Sequence, residues 1–212
     1  MAPQSSLPDD EVLVLDTSVV INLSATGCAR EILGALPYRI VVVDTVVGEL
    51  DYGKSKGRGD AAMLAELAAA DTVEIATLGE LGLSHFEGLV VGASADTLDD
   101  GEAATIAYAI ETLAFPVIDE RKALRLCSRR FPDLKPRSTL DLLSHQAVQQ
   151  ALGLSHLADA LHRALLGARM QVPAGHMSWV VSLIGNERAA DCQSLPETVR
   201  KTARSSGQAA AG

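Results

Sequence analysis

Five carboxylates stand where short apolar runs end or where a helix opens: Asp16, Glu49, Glu102 and the adjacent Asp119 and Glu120. Carboxylates gathered in one crevice repel one another and raise each other's pKa unless a divalent cation neutralises them. An all-oxygen ligand set favours Mg²⁺ or Mn²⁺ over zinc. Each acid also has a plainer use. Asp16 and Asp119 can cap the helices that follow them, Glu49 suits the dipole at a helix N-terminus, and Asp99 with Glu102 has the spacing of a capping box. Taken singly these uses suffice, but together they require several coincidences, so the metal-site reading leads.

The elements that must position these acids follow a β-α-β rhythm. Val12 to Leu15 is a strand-like run ending at Asp16-Thr17-Ser18, and Ile40 to Val43 repeats the pattern before Asp44-Thr45. Val73-Glu74-Ile75 and Phe115 to Ile118 supply two more strands. Helical spacing covers Cys28 to Leu36, Val46 to Leu50, Asp60 to Ala70, Glu102 to Leu113, Arg121 to Arg130 and Leu140 to Leu152. Strands alternating with helices predict an α/β fold with a short parallel sheet, whose ligands sit outside the carboxyl ends of the strands. Residues 1–152 read as this α/β domain and 153–190 as a C-terminal helical extension, hinged at Val172 to Gly175. Residues 191–212 read as a flexible tail, frayed from Pro196 onward.

Composition narrows the function classes. Apolar residues make up 48% and aromatics 3%, so Ala, Val, Leu and Ile must fill the core. The net charge of −9 disfavours a general nucleic-acid coating protein or a basic membrane-surface binder. Cys28, Cys127 and Cys192 form no CxxC pair, which points to a reducing cytoplasm. The five histidines lack metal-ligand spacing, and neither a secretory signal nor a membrane-length apolar run is visible.

The order and wording of four segments resemble the PIN-domain ribonucleases. They are Val14-Leu15-Asp16-Thr17-Ser18-Val19-Val20-Ile21, then Val46-Val47-Gly48-Glu49-Leu50, then Gly101-Glu102-Ala103-Ala104-Thr105-Ile106-Ala107-Tyr108-Ala109, then Pro116-Val117-Ile118-Asp119-Glu120-Arg121. The third looks like the toxin-like branch of the family, with a Gly-Glu third acid. The resemblance implies a three-layer Rossmann-like PIN fold in which Asp16, Glu49, Glu102 and the Asp119/Glu120 pair hold Mg²⁺ or Mn²⁺. It also implies support from the Thr17 and Ser18 hydroxyls. Family members often carry Asp-Asp where this chain has Asp119-Glu120, and a proline where it has Val43. A haloacid-dehalogenase-type phosphatase also begins with Asp after its first strand, but needs a second Asp where Ser18 stands.

The same resemblance implies that residues 1–152 are a PIN-like nuclease domain and that the chain is a cytoplasmic endoribonuclease. Its reaction would be metal-dependent hydrolysis of RNA phosphodiesters, leaving 5′-phosphate and 3′-hydroxyl ends. The implied setting is a toxin with a cognate antitoxin as partner. The alternatives are a standalone RNA-processing nuclease and a non-catalytic PIN-like module binding RNA or protein. Arg121, Lys122, Arg125, Arg129, Arg130, Lys135 and Arg137 cluster around a single acid, Asp133, with a smaller set at Lys54, Lys56 and Arg58. Arg121, Arg125 and Arg129 share a helical face and are the candidate RNA contacts, against the alternative of a solvated face. Apolar faces between Leu154 and Asn186 (Leu157, Leu161, Leu165, Trp179, Leu183) suit core packing by default, with a homodimer or a partner as alternatives.

Overall fold

The run Val12–Leu15 is strand β1, and it lies inside a four-stranded parallel sheet with β2 (Arg39–Val43), β3 (Glu74–Ala76) and β4 (Phe115–Val117) in the order β3-β2-β1-β4. Leu13 pairs with Ile40 on one side and Phe115 on the other. An inner parallel strand is covered on both faces, so its side chains must be continuously apolar. Leu13, Val14 and Leu15 are accordingly buried, as are Ile40 to Val43. The expected α/β class with a short parallel sheet is what the chain forms. The computed structural model describes residues 11–54, 59–93 and 97–209. Met1 to Asp10, Lys56 and Arg58 lie outside the described residues, as does the Lys54 side chain.

Parallel strands need crossover connections, and here they are helical. Helices α1 (Thr17–Thr26) and α2 (Ala29–Ala35) join β1 to β2, α3 (Asp44–Lys54) and α4 (Asp60–Ala69) join β2 to β3, and α5 (Glu80–Val90) and α6 (Asp100–Thr112) join β3 to β4. After β4 come α7 (Arg121–Arg130), α8 (Thr139–Leu143), α9 (Gln146–Gly167), a 3₁₀ turn at Ala174–His176, α10 (Met177–Ile184), α11 (Asn186–Asp191) and α12 (Glu197–Ala209).

The described residues form two compact units, one within 7–21 and 37–139 and the other within 22–36 and 140–212. In the first, α6 packs on the sheet and against α5. Its small residues Ala103, Ala104, Ala107 and Ala109 are buried and allow close approach. Leu89, Ile106, Ile118 and Leu126 form one apolar cluster there, flanked by Phe86 and Phe131. In the second unit, α2 packs against α9, and Leu157, Leu161, Ala164 and Leu165 are buried along α9. These leucines are core residues, in line with the default of core packing.

Gly153 (φ 71°, ψ 156°), at the boundary expected after residue 152, is non-helical and separates two helical stretches within Gln146–Gly167. Two expectations about the C-terminal helices need correction. The continuous helix expected over Leu140 to Leu152 is interrupted at Ser144-His145, where the His145 ring accepts the Ala147 N–H at 3.2 Å and caps α9. The frayed tail expected from Pro196 is instead α12, packed against α11 with Ala203 buried. Its Ser and Gly residues are poor helix formers, and packing overrides that preference. Helix α5 has no counterpart in the sequence reading, because Gly79, Gly82 and Gly88 break its pattern.

Candidate active site

The sheet delivers its acids to one edge through backbone pairing. The Asp16 N–H donates to the Val117 carbonyl (3.1 Å), so β1 and β4 end side by side, and the Ile118 N–H donates to the Arg137 carbonyl (2.8 Å). Asp16 leaves β1 as α1 begins, and Asp119-Glu120 leaves β4 as α7 begins.

Asp16 is 2% exposed. Its Oδ2 accepts the Ser18 hydroxyl (2.7 Å) and N–H (3.2 Å), the cap-like contact the sequence allowed. Its Oδ1 is buried with no hydrogen-bond partner. Burial pushes the Asp16 carboxyl up to about 6 against the pull of the Ser18 bonds, and the Glu49 charge adds to the rise. Glu102 is also buried and is pushed up to about 7, first by burial and then by repulsion from Asp16, with Asp99 and Glu120 contributing. Its Oε2 accepts the Asp99 N–H at 3.4 Å in a capping box that opens α6. Glu102 thus has both the capping role and the crowded electrostatic setting.

Glu49 comes from α3 but acts on another helix. Its Oε1 accepts the Gly101 N–H (2.7 Å), one of the unsatisfied donors at the start of α6, and its Oε2 accepts the Thr17 hydroxyl (2.5 Å). A Cβ on Gly101 would lie 2.5 Å from both Glu49 Oε2 and Thr17 Oγ1. Any larger residue here would push apart the Glu49–Thr17 pair, so close approach rather than backbone conformation favours glycine. The Thr17 hydroxyl thus holds Glu49, and the Ser18 hydroxyl and N–H hold Asp16.

The two acids after β4 diverge. Asp119 is buried, and its Oδ1 and Oδ2 accept the Thr139 N–H (2.9 Å) and hydroxyl (2.5 Å), which ties the end of β4 to the start of α8. Sequence position predicts Asp119 as the cap of α7; the cap is Glu120, which accepts the Lys122 N–H at 3.4 Å. Thr139 escapes sequence reasoning as a site residue, and only its place in an apolar-polar transition after Pro136 hints at it. Cys127 packs near Glu102 with its thiol pushed up to about 11 by burial, so it stays a neutral thiol.

Among the described residues, no three His, Cys, Asp or Glu side chains close into a group that could enclose a metal ion. Glu49 and Asp119 are turned onto hydrogen-bond donors, while Glu102 is repelled by both Asp16 and Glu120. The donor chemistry nevertheless fits a hard cation: the acids are all oxygen ligands, and Asp16 Oδ1 is a buried oxygen without a proton donor.

The basic window divides in the fold. Arg130 donates to the Gly88 carbonyl (3.0 Å) and covers Phe131, and Arg137 lies over Phe115. Arg121, Arg125 and Arg129 are exposed on α7, as their spacing implied.

A family model described as a PIN domain matches residues 12–184. The chain belongs to the PIN-domain family. No curated protein matches the chain. The PIN match runs to the end of α10, so most of the helices expected as an extension lie within the family domain. PIN domains are generally nucleases and typically use divalent metals, which gives the acid crevice a chemical context. No helix among the described residues is long and apolar enough to cross a membrane.

Proposed function

We propose that this PIN-domain chain is a Mg²⁺- or Mn²⁺-dependent endoribonuclease, with Asp16, Glu102 and Glu120 holding the cation. The observation that carries the reading is the buried, partnerless Oδ1 of Asp16 beside Glu102, both carboxyls being raised by burial and crowding. A bound cation would polarise a phosphodiester oxygen and lower the pKa of an attacking water. The protein's own contribution is positional. Glu49 fixes the start of α6, and with it Glu102, through the Gly101 N–H, while Thr17 anchors Glu49 to α1. Ser18 orients Asp16, and the Asp119–Thr139 clasp sets the backbone from which Glu120 emerges.

Single-stranded RNA is the proposed substrate, since its splayed backbone can reach a carboxylate crevice. The resemblance of Gly101 to Ala109 to the toxin-like branch supports a toxin held by a cognate antitoxin, and the adjoining reading frame tests that. The three free cysteines suit a cytoplasmic setting. The test of activity is cleavage of single-stranded RNA by the full chain with Mg²⁺, with Mn²⁺ and with chelator. Cleavage that needs the cation and is lost in Asp16→Asn supports the proposal, and cleavage surviving both treatments removes it. A second reading, a non-catalytic binding module, draws on the acids not closing around an ion. RNA binding with neither cleavage nor a Mg²⁺-induced rise in melting temperature would establish it.

A further inference from the structure

Helix α7 opens at the acid crevice and then turns basic. Lys122, Arg125, Ser128 and Arg129 line a notch of about 420 Å³ along it. The spacing i, i+3, i+7 of Lys122, Arg125 and Arg129 places them on one stripe, beside the face that buries Ala123, Leu126 and Cys127. Lys122 takes the place in this group that spacing alone assigns to Arg121.

The arrangement is costly for the helix by itself. Like charges three and four residues apart destabilise a helix, and a cation in the first turn opposes the macrodipole. Arg129, in the last turn, is favoured by that dipole; Lys122, in the first, is not. Among the described residues, Arg121, Lys122 and Arg125 form no ion pair that would offset this cost. Cations lining one concave notch with a hydroxyl beside them match the oxygens of a phosphate, for which arginine gives forked hydrogen bonds and lysine a point charge.

We propose that Lys122, Arg125, Ser128 and Arg129 form a phosphate subsite that grips the nucleic-acid backbone beyond the bond to be cleaved, so that the chain selects oligonucleotides over single nucleotides. The inference rests on the nuclease reading for its substrate. With a helical rise of about 1.5 Å per residue, Arg125 and Arg129 lie about 8 and about 14 Å along the axis from Glu120. That offset extends the bound strand away from the acids rather than adding charge at the reacting centre.

The experiment measures binding of a single-stranded RNA 12-mer to the full chain in chelator across a salt series, for the parent, Lys122→Ala/Arg125→Ala, and Arg188→Ala as a surface-charge control. Each phosphate-bound cation contributes about 0.7 to the slope of log affinity against log salt for a single strand. The double variant should therefore lose about 1.4 of slope, and the control none. An unchanged slope in the double variant, or an equal loss in the control, overturns the subsite. Inorganic phosphate and a mononucleotide form the other arms. Weak competition by both supports a backbone site, whereas binding as tight as that of the 12-mer makes this a free-phosphate site and overturns the proposal. Chelator keeps the assay independent of cleavage, so a parent that fails to cleave but shows the slope difference removes the nuclease reading and leaves the subsite standing.

Discussion

Two helix N-termini in this chain are held by the same device. At α6 the Gly101 N–H donates to Glu49 (2.7 Å), and at α5 the Gly79 N–H donates to Glu111 (2.9 Å). In both, a glycine lets the carboxylate approach where a Cβ would collide: Gly101 with Glu49, and Gly79 and Gly82 with Glu111. A glutamate closing a helix N-terminus is thus a structural element that this fold uses more than once, and it is no mark of chemistry. What differs is the company. Glu49 also takes the Thr17 hydroxyl, and the helix it caps carries Glu102 beside the buried Asp16. The contact at α5 is exposed and involves none of the strand-end acids. Function should therefore track the neighbours and not the clasp.

The sharpest way to break that comparison is to neutralise one acid from each setting. Asp16→Asn and Glu102→Gln should each lower RNA cleavage by more than about 100-fold, beyond the 10–100-fold typical of residues that only support a metal site. Glu111→Gln should leave cleavage within about twofold of the parent. Comparable losses in all three would show that helix capping, not cation holding, underlies the effect.

Replacing the glycines sharpens it further. Alanine favours a helix over glycine by about 1 kcal/mol, whereas forcing a methyl group into packed atoms costs about 1–3 kcal/mol. The clash should win at Gly101, where the methyl meets the hydrogen-bonded Glu49–Thr17 pair, so Gly101→Ala should melt lower; at Gly82 it meets the flexible end of the exposed Glu111, so helix preference should keep Gly82→Ala at or above the parent's melting temperature. Only Gly101→Ala displaces Glu49 and Thr17, and only it should lose cleavage, by about 10–100-fold. If Gly82→Ala lost as much activity, the two clasps would not be functionally distinct.

Why some of this is legible in sequence and some is not has a physical basis. Strands β1, β2 and β4 are inner or well-covered parallel strands, so their apolar runs are short and clean, and the acids ending them can be picked out directly. The capping box at Asp99 and Glu102 is local and announces itself through spacing. Glu49 acting on Gly101, and Asp119 acting on Thr139, are contacts between elements far apart in the chain, and no local pattern encodes them. Helix α5 is hidden for the same reason: Gly79 and Gly82 read as breaks, yet they are there for the approach of Glu111. In α12 the Ser and Gly residues suggest fraying, but burial of Ala203 against α11 lies outside what residue preference can show.

The strand-end aspartates should separate in stability. Asp119→Ala leaves the Thr139 N–H and hydroxyl without their acceptor in a buried place, at a cost of about 1–3 kcal/mol. Asp16→Asn removes a crowded buried charge, so the cation-free variant should be as stable as the parent or more so. Denaturant melts in chelator check both signs. A destabilised Asp16→Asn would mean that its bonds to Ser18 outweigh the repulsion.

A further effect is a pH slope peculiar to the acid crevice. Asp16 and Glu102 titrate near 6 and near 7 in the folded chain, above their ordinary values of 3.8 and 4.5. Between those limits the folded state holds protons that the unfolded chain has released, so the unfolding free energy falls as pH rises. The cation-free protein should therefore lose stability from about pH 4 to about pH 7. The two groups are coupled and titrate as a pair; near pH 5 to 6, where the folded chain holds both protons and the unfolded chain neither, the slope approaches about 2.7 kcal/mol per pH unit, or about 1.4 per proton. Glu102→Gln should flatten the slope, whereas Glu111→Gln, at the other clasp, should leave it as in the parent. Mg²⁺ competes with those protons, so the rise in melting temperature it produces should grow across the same interval. A Mg²⁺ response independent of pH between about 5 and about 7.5 would separate the cation from these carboxylates and return Glu102 to its capping role alone.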